Sequence, residues 1–185
     1  MNIEIIRPNQ NLENPDLPGI FLAGPIQGAI DWQNNVIDKI KEKADGFIEH
    51  DFFIASPRSL SAKHHENFVF NNQVDWETKY LLKAAETGVI FFYLCNETTH
   101  YCNRSYAQTT RAELFEWITR TKLNEKYDIH ICFDSNFSGT RYIQRRLSPE
   151  NNILSGLGTR NIPTSFNLDD GISLLINNFR CKNAG

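Results

Sequence analysis

The sequence predicts an α/β domain with a doubly wound, mostly parallel sheet of about five strands and helices on both faces. Short, fully apolar runs alternate with longer segments whose apolar residues recur at helical spacing. Runs that are apolar at every position are typical of parallel strands covered on both faces. The length of 185 residues and the apolar content of 41% suit one domain with its own core. We divide the chain into an extended arm, residues 1–18, and a single domain, residues 19–185.

The first elements follow from short local patterns. The arm is rich in Asn and Pro and contains one β-prone piece, Ile3–Ile6. The next apolar run begins at Gly19 and closes at Gly24-Pro25, which indicates a buried strand followed by a breaker. Asp31 is placed to cap a helix whose apolar positions, from Trp32 onward, share one helical face.

The remaining elements continue the alternation of strand and helix. We predict strands at 52–55, 89–94 and 129–133, and helices at 75–86, in the segment after the polar loop 96–108, and after Asp169-Asp170. The segment 59–72 is polar and rich in His, and we interpret it as a loop with at most one helical turn. A chain of this pattern winds helices onto both faces of one sheet.

Charge and hydropathy exclude several classes of partner. The chain has 19 Lys and Arg against 22 Asp and Glu, a net charge of −3, which argues against a broad basic surface for a nucleic acid polymer. The arginines of 141–146 are interpreted as a solvated face. The longest apolar run, 89–95, is far below the ~20 residues needed to span a bilayer, and the N-terminus has no apolar core of a signal peptide. We therefore expect a cytoplasmic protein without a membrane partner.

Metal and nucleotide-cofactor motifs are missing from the sequence. The four cysteines form no CxxC pair, and His64-His65 has no third ligand at metal spacing. Cys95 and Cys132 lie in apolar strands, where we expect buried, reduced thiols. The Gly24 turn matches neither GxGxxG nor GxxxxGK[ST], which excludes the dinucleotide fingerprint and the P-loop. We expect no metal and no organic cofactor.

Ligands of open parallel sheets bind beyond the carboxyl ends of the strands. This rule places three segments together: the turn with Gly24, Pro25 and Gln27, the piece with Ser56 and Arg58, and the stretch 95–113. The Gly-Pro turn either lets a ligand approach the backbone or simply reverses the chain. Ser56 and Arg58 are candidate donors to a substrate.

Glu113 has two interpretations. Thr110 and Glu113 have the spacing of a capping box, in which the threonine caps the helix and the glutamate reaches back to a backbone N–H. Alternatively, Glu113 is a nucleophile that the helix N-terminus keeps ionised, while Gln108, Thr109 and Thr110 bind a sugar.

The acids of the preceding helix are also open to two interpretations. Asp75 and Glu77 flank Trp76 near the predicted start of that helix. They either stabilise the first turn through the helix dipole, or one of them orients a nucleobase and passes it a proton. Trp76 is either part of the core or stacks on a base.

Taken in order, several stretches resemble the nucleoside 2-deoxyribosyltransferase-like family. The likeness covers roughly residues 20 to 145 and is carried by seven pieces: IFLAGPI at 20–26, DW at 31–32, SPR at 56–58, QVDWE at 73–77, GVIFF at 88–92, YAQTTRAEL at 106–114, and the FSG and RYI pair within 137–143.

The resemblance implies a flavodoxin-like domain that cleaves N-glycosidic bonds of deoxynucleosides or their monophosphates. It implies Glu113 as the nucleophile, Asp75 or Glu77 as acids that contact the base, and Gln73 beside them as a substrate contact. It also implies a homo-oligomer, a nucleoside or nucleotide substrate, and a free nucleobase as acceptor.

Three positions differ from the pattern of the family. Phe21 replaces a tyrosine of the first strand, Phe115 replaces a glycine after Glu-Leu, and Ala107-Gln108-Thr109 replaces a D-x-G. These differences leave three functions open: deoxyribosyl transfer, hydrolysis as a nucleoside or nucleotide N-glycosidase, and a nucleotide-binding or sensing module with reduced catalysis.

Overall fold

The computed structural model describes residues 1–59, 69–148 and 161–183. His64 and His65 lie outside these ranges, as does most of the loop that we expected over 59–72. The described strands are β1 (Ile3–Ile6), β2 (Gly19–Ala23), β3 (Phe52–Ala55), β4 (Val89–Leu94), β5 (Ile129–Phe133) and β6 (Thr164–Ser165). The described helices are α1 (Trp32–Ala44), α2 (Phe70–Thr87), α3 (Gln108–Leu123), α4 (Thr140–Leu147) and α5 (Leu168–Asn183).

The protein is a three-layer α/β fold of the flavodoxin-like type. One sheet has the strand order β1-β3-β2-β4-β5-β6, and every pair of neighbours is parallel. The strands β2 to β5 are buried along their whole length, which explains why their sequences are apolar at every position. The predicted fold class is therefore confirmed, with six strands where we expected about five.

The additional strands come from regions that gave weak sequence signals. The Ile3–Ile6 piece of the arm pairs with β3, with Ile5 opposite Ile54, and becomes the edge strand of the sheet. The two-residue strand β6 forms the other edge next to β5. Helix α4 was not predicted either, and its arginines are exposed, as expected for a solvated face.

Alternate residues of each strand pack into opposite layers. Phe21 and Phe92 face the layer formed by α2 and α3, together with Trp76 and Leu114. Leu22 and its neighbours on that face pack against α1 and α5. The side-chain period of two in a strand therefore divides one apolar sequence between two cores.

The start of α1 agrees with the prediction from the sequence. Asp31 caps α1, as predicted, because its carboxylate accepts the backbone N–H of Asn34 at 3.3 Å. In the sheet, β3 lies on one side of β2 and β4 lies on the other side of β2. The direction in which strands are added therefore reverses between β2 and β4. In such folds the crevice at this reversal is the usual ligand site.

Candidate active site

The turn after β2 is closely packed against its own protein. Gly24 has φ of +155°, and a Cβ there would lie 2.4 Å from the carbonyl oxygen of Tyr93 and 2.7 Å from the Trp32 ring. The Trp32 Nε1–H also donates to the carbonyl of Pro25 at 2.8 Å. The space beside Gly24 is thus occupied by protein atoms, which favours a chain-reversal role for this turn.

Two loops meet across the reversal of strand order. The backbone N–H groups of Thr98 and Thr99 donate to the carbonyl of Gly28 at 2.7 and 3.1 Å. The Arg104 guanidinium donates to the side-chain oxygen of the exposed Gln27. The loop after β2 and the loop after β4 therefore form one unit at the carboxyl edge.

Arg58 joins the third segment to this unit. Its guanidinium donates to the carbonyls of Ile26 and Ile30 at 3.1 and 2.9 Å and to the side-chain oxygen of Gln33 at 2.8 Å. Ser56 is 0% exposed, and its hydroxyl has no hydrogen-bond partner among the described residues. The three segments do come together, but Arg58 is directed at the loop and Ser56 has no accessible surface.

Helix α3 starts earlier than a capping box requires. Its first residue is Gln108, and the preceding Ala107 adopts a left-handed conformation with φ of 57° and no side-chain cap. The N–H of Arg111 already bonds to the carbonyl of Ala107 at 2.9 Å, so the helical pattern begins before Thr110. The capping-box expectation is wrong, since Thr110 is buried in the first turn and Glu113 lies in the second.

The other sugar-binding candidates lie at the start of the same helix. Gln108 and Thr109 are exposed at the N-terminus of α3, whereas the Thr110 side chain is buried. Gln108 and Thr109 are therefore accessible to a ligand above the carboxyl edge of β4.

Helix α2 also begins earlier than predicted. The N–H of Gln73 bonds to the carbonyl of Val69 at 3.2 Å, and the helix starts at Phe70. The expectation that Asp75 and Glu77 lie in a first helical turn is therefore wrong. Asp75 is exposed and Glu77 is half-buried, because residues two positions apart point to different sides of a helix.

Trp76 belongs to the core. It is only 6% exposed, and its ring centroid lies 5.0 Å from that of Tyr80 and 6.1 Å from that of Phe21. Its Nε1–H donates to the carbonyl of Gln10 in the N-terminal arm at 2.9 Å. Trp76 therefore anchors the arm on α2, and its faces are occupied by other aromatic rings.

Glu77 and Glu113 lie on α2 and α3, two helices that pack on the same face of the sheet. Helices that connect parallel strands start at the carboxyl edge, and at ~1.5 Å per residue both glutamates lie about 7–11 Å from the starts of α2 and α3. Both side chains are half-buried. They are close enough for the charge of Glu77 to act on Glu113.

The electrostatics of the pair favour the protonated form. Burial, together with the smaller effects of the charges of Glu77 and Glu116, raises the pKa of Glu113 to about 7. Burial also raises the pKa of Glu77. A hydrogen bond that the Gln73 Nε2–H donates to Glu77 Oε1 at 2.8 Å acts in the opposite direction and is the smaller effect. The expectation that the helix N-terminus keeps Glu113 ionised is thus wrong, because dipole stabilisation falls off within the first turn.

Phe21 and Phe115 both pack against aromatic neighbours. The Phe21 ring contacts Trp76, as described above, and the Phe115 ring lies edge-on to Tyr142 of α4 with centroids 6.0 Å apart. Phe115 is therefore turned toward α4.

Sequence reasoning missed a polar cluster at the ends of β4 and β5. Asp134 directly follows β5 and accepts hydrogen bonds from Asn96 Nδ2 at 2.8 Å and from the Tyr93 hydroxyl at 3.3 Å. The position of these residues in the sequence could have identified the cluster, since polar residues immediately after two neighbouring parallel strands meet at the carboxyl edge.

In the described part of the chain, no three His, Cys, Asp or Glu side chains are grouped so that they could hold a metal ion. Likewise, none of the described helices is long and apolar enough to cross a membrane. A comparison with models of known protein families and a comparison with curated proteins found no match to this chain.

Proposed function

We propose that this protein cleaves the N-glycosidic bond of 2′-deoxynucleosides and transfers the deoxyribosyl group to another nucleobase. The observation that carries the proposal is the pair of half-buried glutamates, Glu77 and Glu113, beside the reversal of strand order. The motifs that resemble the nucleoside 2-deoxyribosyltransferase-like family assign the nucleophile to Glu113.

The reaction is a double displacement. The ionised Glu113 carboxylate attacks C1′, and the bond between C1′ and the base nitrogen breaks as the glycosyl ester forms. The electron pair of the broken bond stays on the base, which takes a proton from Glu77. In the second step a new base attacks C1′, its proton returns to Glu77, and Glu113 leaves as a carboxylate.

The charge state of the pair at rest differs from the one that this reaction uses, because the higher pKa, about 7, belongs to Glu113. Two carboxyl groups that are buried and near each other hold one proton between them more readily than they both ionise. The Gln73 hydrogen bond favours the ionised form of Glu77, so the reactive form, with Glu113 ionised and the proton on Glu77, is reached when the proton moves from Glu113 to Glu77. The Gln73 hydrogen bond occupies Oε1 of Glu77, so its other oxygen remains to carry the proton.

We favour a nucleoside over its 5′-monophosphate as the donor. A phosphate needs several free donors, whereas Arg58 already donates to the carbonyls of Ile26 and Ile30. Ser56 has no accessible surface. Gln108 and Thr109, which are exposed at the start of α3, suit the uncharged hydroxyl groups of a sugar.

The test is a chromatographic assay of base release and base exchange. Wild type, Glu113→Gln, Glu77→Gln and the matched control Asp75→Asn are incubated with deoxynucleosides and their monophosphates, with and without a second base. We expect exchange by wild type and by Asp75→Asn, and a loss of at least ~10²-fold in Glu113→Gln and Glu77→Gln.

The other outcomes separate the alternatives. Release of base that a second base does not alter would indicate hydrolysis by water. Binding of nucleosides without any product would reject the enzyme and favour a sensing module. Full turnover by folded Glu113→Gln would reject the assignment of the nucleophile.

A further inference from the structure

A groove runs along the outer edge of the sheet, between the edge strand β1 and helix α1. It has a volume of about 360 Å³, and Ile5 and Ile37 form its apolar floor. It lies in the layer of α1, on the opposite side of the sheet from Glu77 and Glu113. Its volume falls within the ~300–1,000 Å³ that small-molecule sites occupy.

Arg7 carries a poorly compensated positive charge into this groove. Its guanidinium donates to the carbonyl of Arg58 and to Oδ1 of Asn34, both at 2.7 Å, and both acceptors are neutral. Within the described residues no carboxylate forms an ion pair with Arg7; the charge of Asp31 acts on Arg7, but Asp31 makes its ion pair with Arg58, at 3.4 Å. A half-buried guanidinium without a carboxylate partner favours the approach of an anion.

Lys41 adds a second positive charge at the rim. Its acidic neighbour in the groove is Asp38, at 4.0 Å, with side chains that are 50% and 79% exposed respectively. An exposed pair at this distance is weak, so Lys41 remains able to turn toward a ligand. The groove thus contains two cations and one acid above an apolar floor.

We propose that this groove binds a small organic anion, with its phosphate or carboxylate group between Arg7 and Lys41 and its apolar part against Ile5 and Ile37. The planar guanidinium matches the two oxygens of such a group. The apolar floor selects a ligand with a ring or chain over a bare inorganic ion. This inference does not depend on the proposed glycosidic activity.

The connection of Arg7 to Arg58 gives the groove a structural consequence. Arg7 holds the carbonyl of Arg58, and the Arg58 side chain holds the loop carbonyls of Ile26 and Ile30. A ligand bound to Arg7 would therefore contact one end of the network that supports the loop after β2.

The test is isothermal titration calorimetry at constant ionic strength with four probes: phenyl phosphate, benzoate, inorganic phosphate and phenol. We expect phenyl phosphate and benzoate to bind, inorganic phosphate to bind more weakly, and phenol not to bind. Lys41→Glu should weaken binding at least tenfold, because it reverses an exposed charge at the rim. Lys122→Glu, a matched charge reversal on α3 in the other layer, should bind like wild type.

Arg7→Gln provides a second variant, with circular dichroism as the check that it folds. We expect it to lose binding of both organic anions. The proposal is overturned if neither organic anion binds wild type at up to ~10 mM, or if Lys41→Glu binds them as tightly as wild type does. Equal binding of inorganic phosphate and phenyl phosphate would overturn the role of the apolar floor.

Discussion

Replacing Glu113 by glutamine should stabilise the folded protein in alkaline solution and change it little in acid. In the folded state the pKa of Glu113 is raised to about 7 from its usual 4.5. The folded protein therefore binds a proton that the unfolded chain has already lost between these two values. Stability falls as the pH rises through this range, because ionised Glu113 is tolerated better in the unfolded chain. Glutamine keeps the shape and carries no charge at any pH.

The raised pKa sets the size of the effect. A difference of about 2.5 pH units corresponds to ~3.4 kcal/mol, since each unit is ~1.36 kcal/mol. Integrated over pH, the ionisation of Glu113 lowers the free energy of unfolding of wild type by ~0.4 kcal/mol at pH 4.5 and by ~3.3 kcal/mol at pH 8. Urea unfolding of wild type and Glu113→Gln at both pH values measures it directly. The increase in the free energy of unfolding that Glu113→Gln causes should be about 3 kcal/mol larger at pH 8 than at pH 4.5.

Glu116→Gln is the control for this experiment. Glu116 is on the same helix and forms an exposed ion pair with Arg120, with side chains 54% and 46% exposed. We expect its substitution to change stability by less than ~0.5 kcal/mol at both pH values. If Glu113→Gln and wild type respond to pH in parallel, Glu113 is not a buried carboxyl with a raised pKa, and the reasoning about the pair fails.

Three further predictions concern the core and the arm. His130 is buried, its pKa is lowered to about 4, and the unfolded chain takes up its proton first as the pH falls below ~6.5. Wild type should therefore lose stability between pH 7 and pH 5, and in His130→Phe this loss in the free energy of unfolding should be smaller by ~2 kcal/mol. Urea unfolding at both pH values measures it, and an equal loss in the two proteins would contradict the prediction. Gly24→Ala should lower the free energy of unfolding by at least ~2 kcal/mol, because its Cβ would lie 2.4 Å from the Tyr93 carbonyl oxygen, and a variant as stable as wild type in thermal melts would refute that packing. Trp76→Phe should cost ~1 kcal/mol and speed proteolysis of the arm, because it removes the hydrogen bond to Gln10, and unchanged cleavage rates followed by mass spectrometry would show that this bond does not hold the arm.

Local patterns were sufficient for the elements at the centre of the sheet. The strands β2 to β5 are buried on both faces, so their continuous apolar runs and the breakers after them could be recognised without a partner. The edge strands were missed as members of the sheet. Four residues of an Asn- and Pro-rich arm become a strand only because β3 lies beside them.

Helix starts were missed for a related reason. Helix α3 begins after Ala107 in a left-handed conformation and α2 begins after Val69, and neither residue is a usual N-cap. The capping pattern at Thr110 was present in the sequence, but the hydrogen bond of Arg111 to Ala107 started the helix before it.

The sequence by itself determined the fold class and the gathering of three loops at the carboxyl edge, because alternating strands and helices leave few other arrangements. It also identified Glu113 and two acids, Asp75 and Glu77, as candidates. Only the tertiary structure decided that Glu77 is half-buried near Glu113 and that Asp75 faces solvent. Which side of a helix is covered, and how much water a carboxyl group loses, depend on neighbours that are distant in the chain.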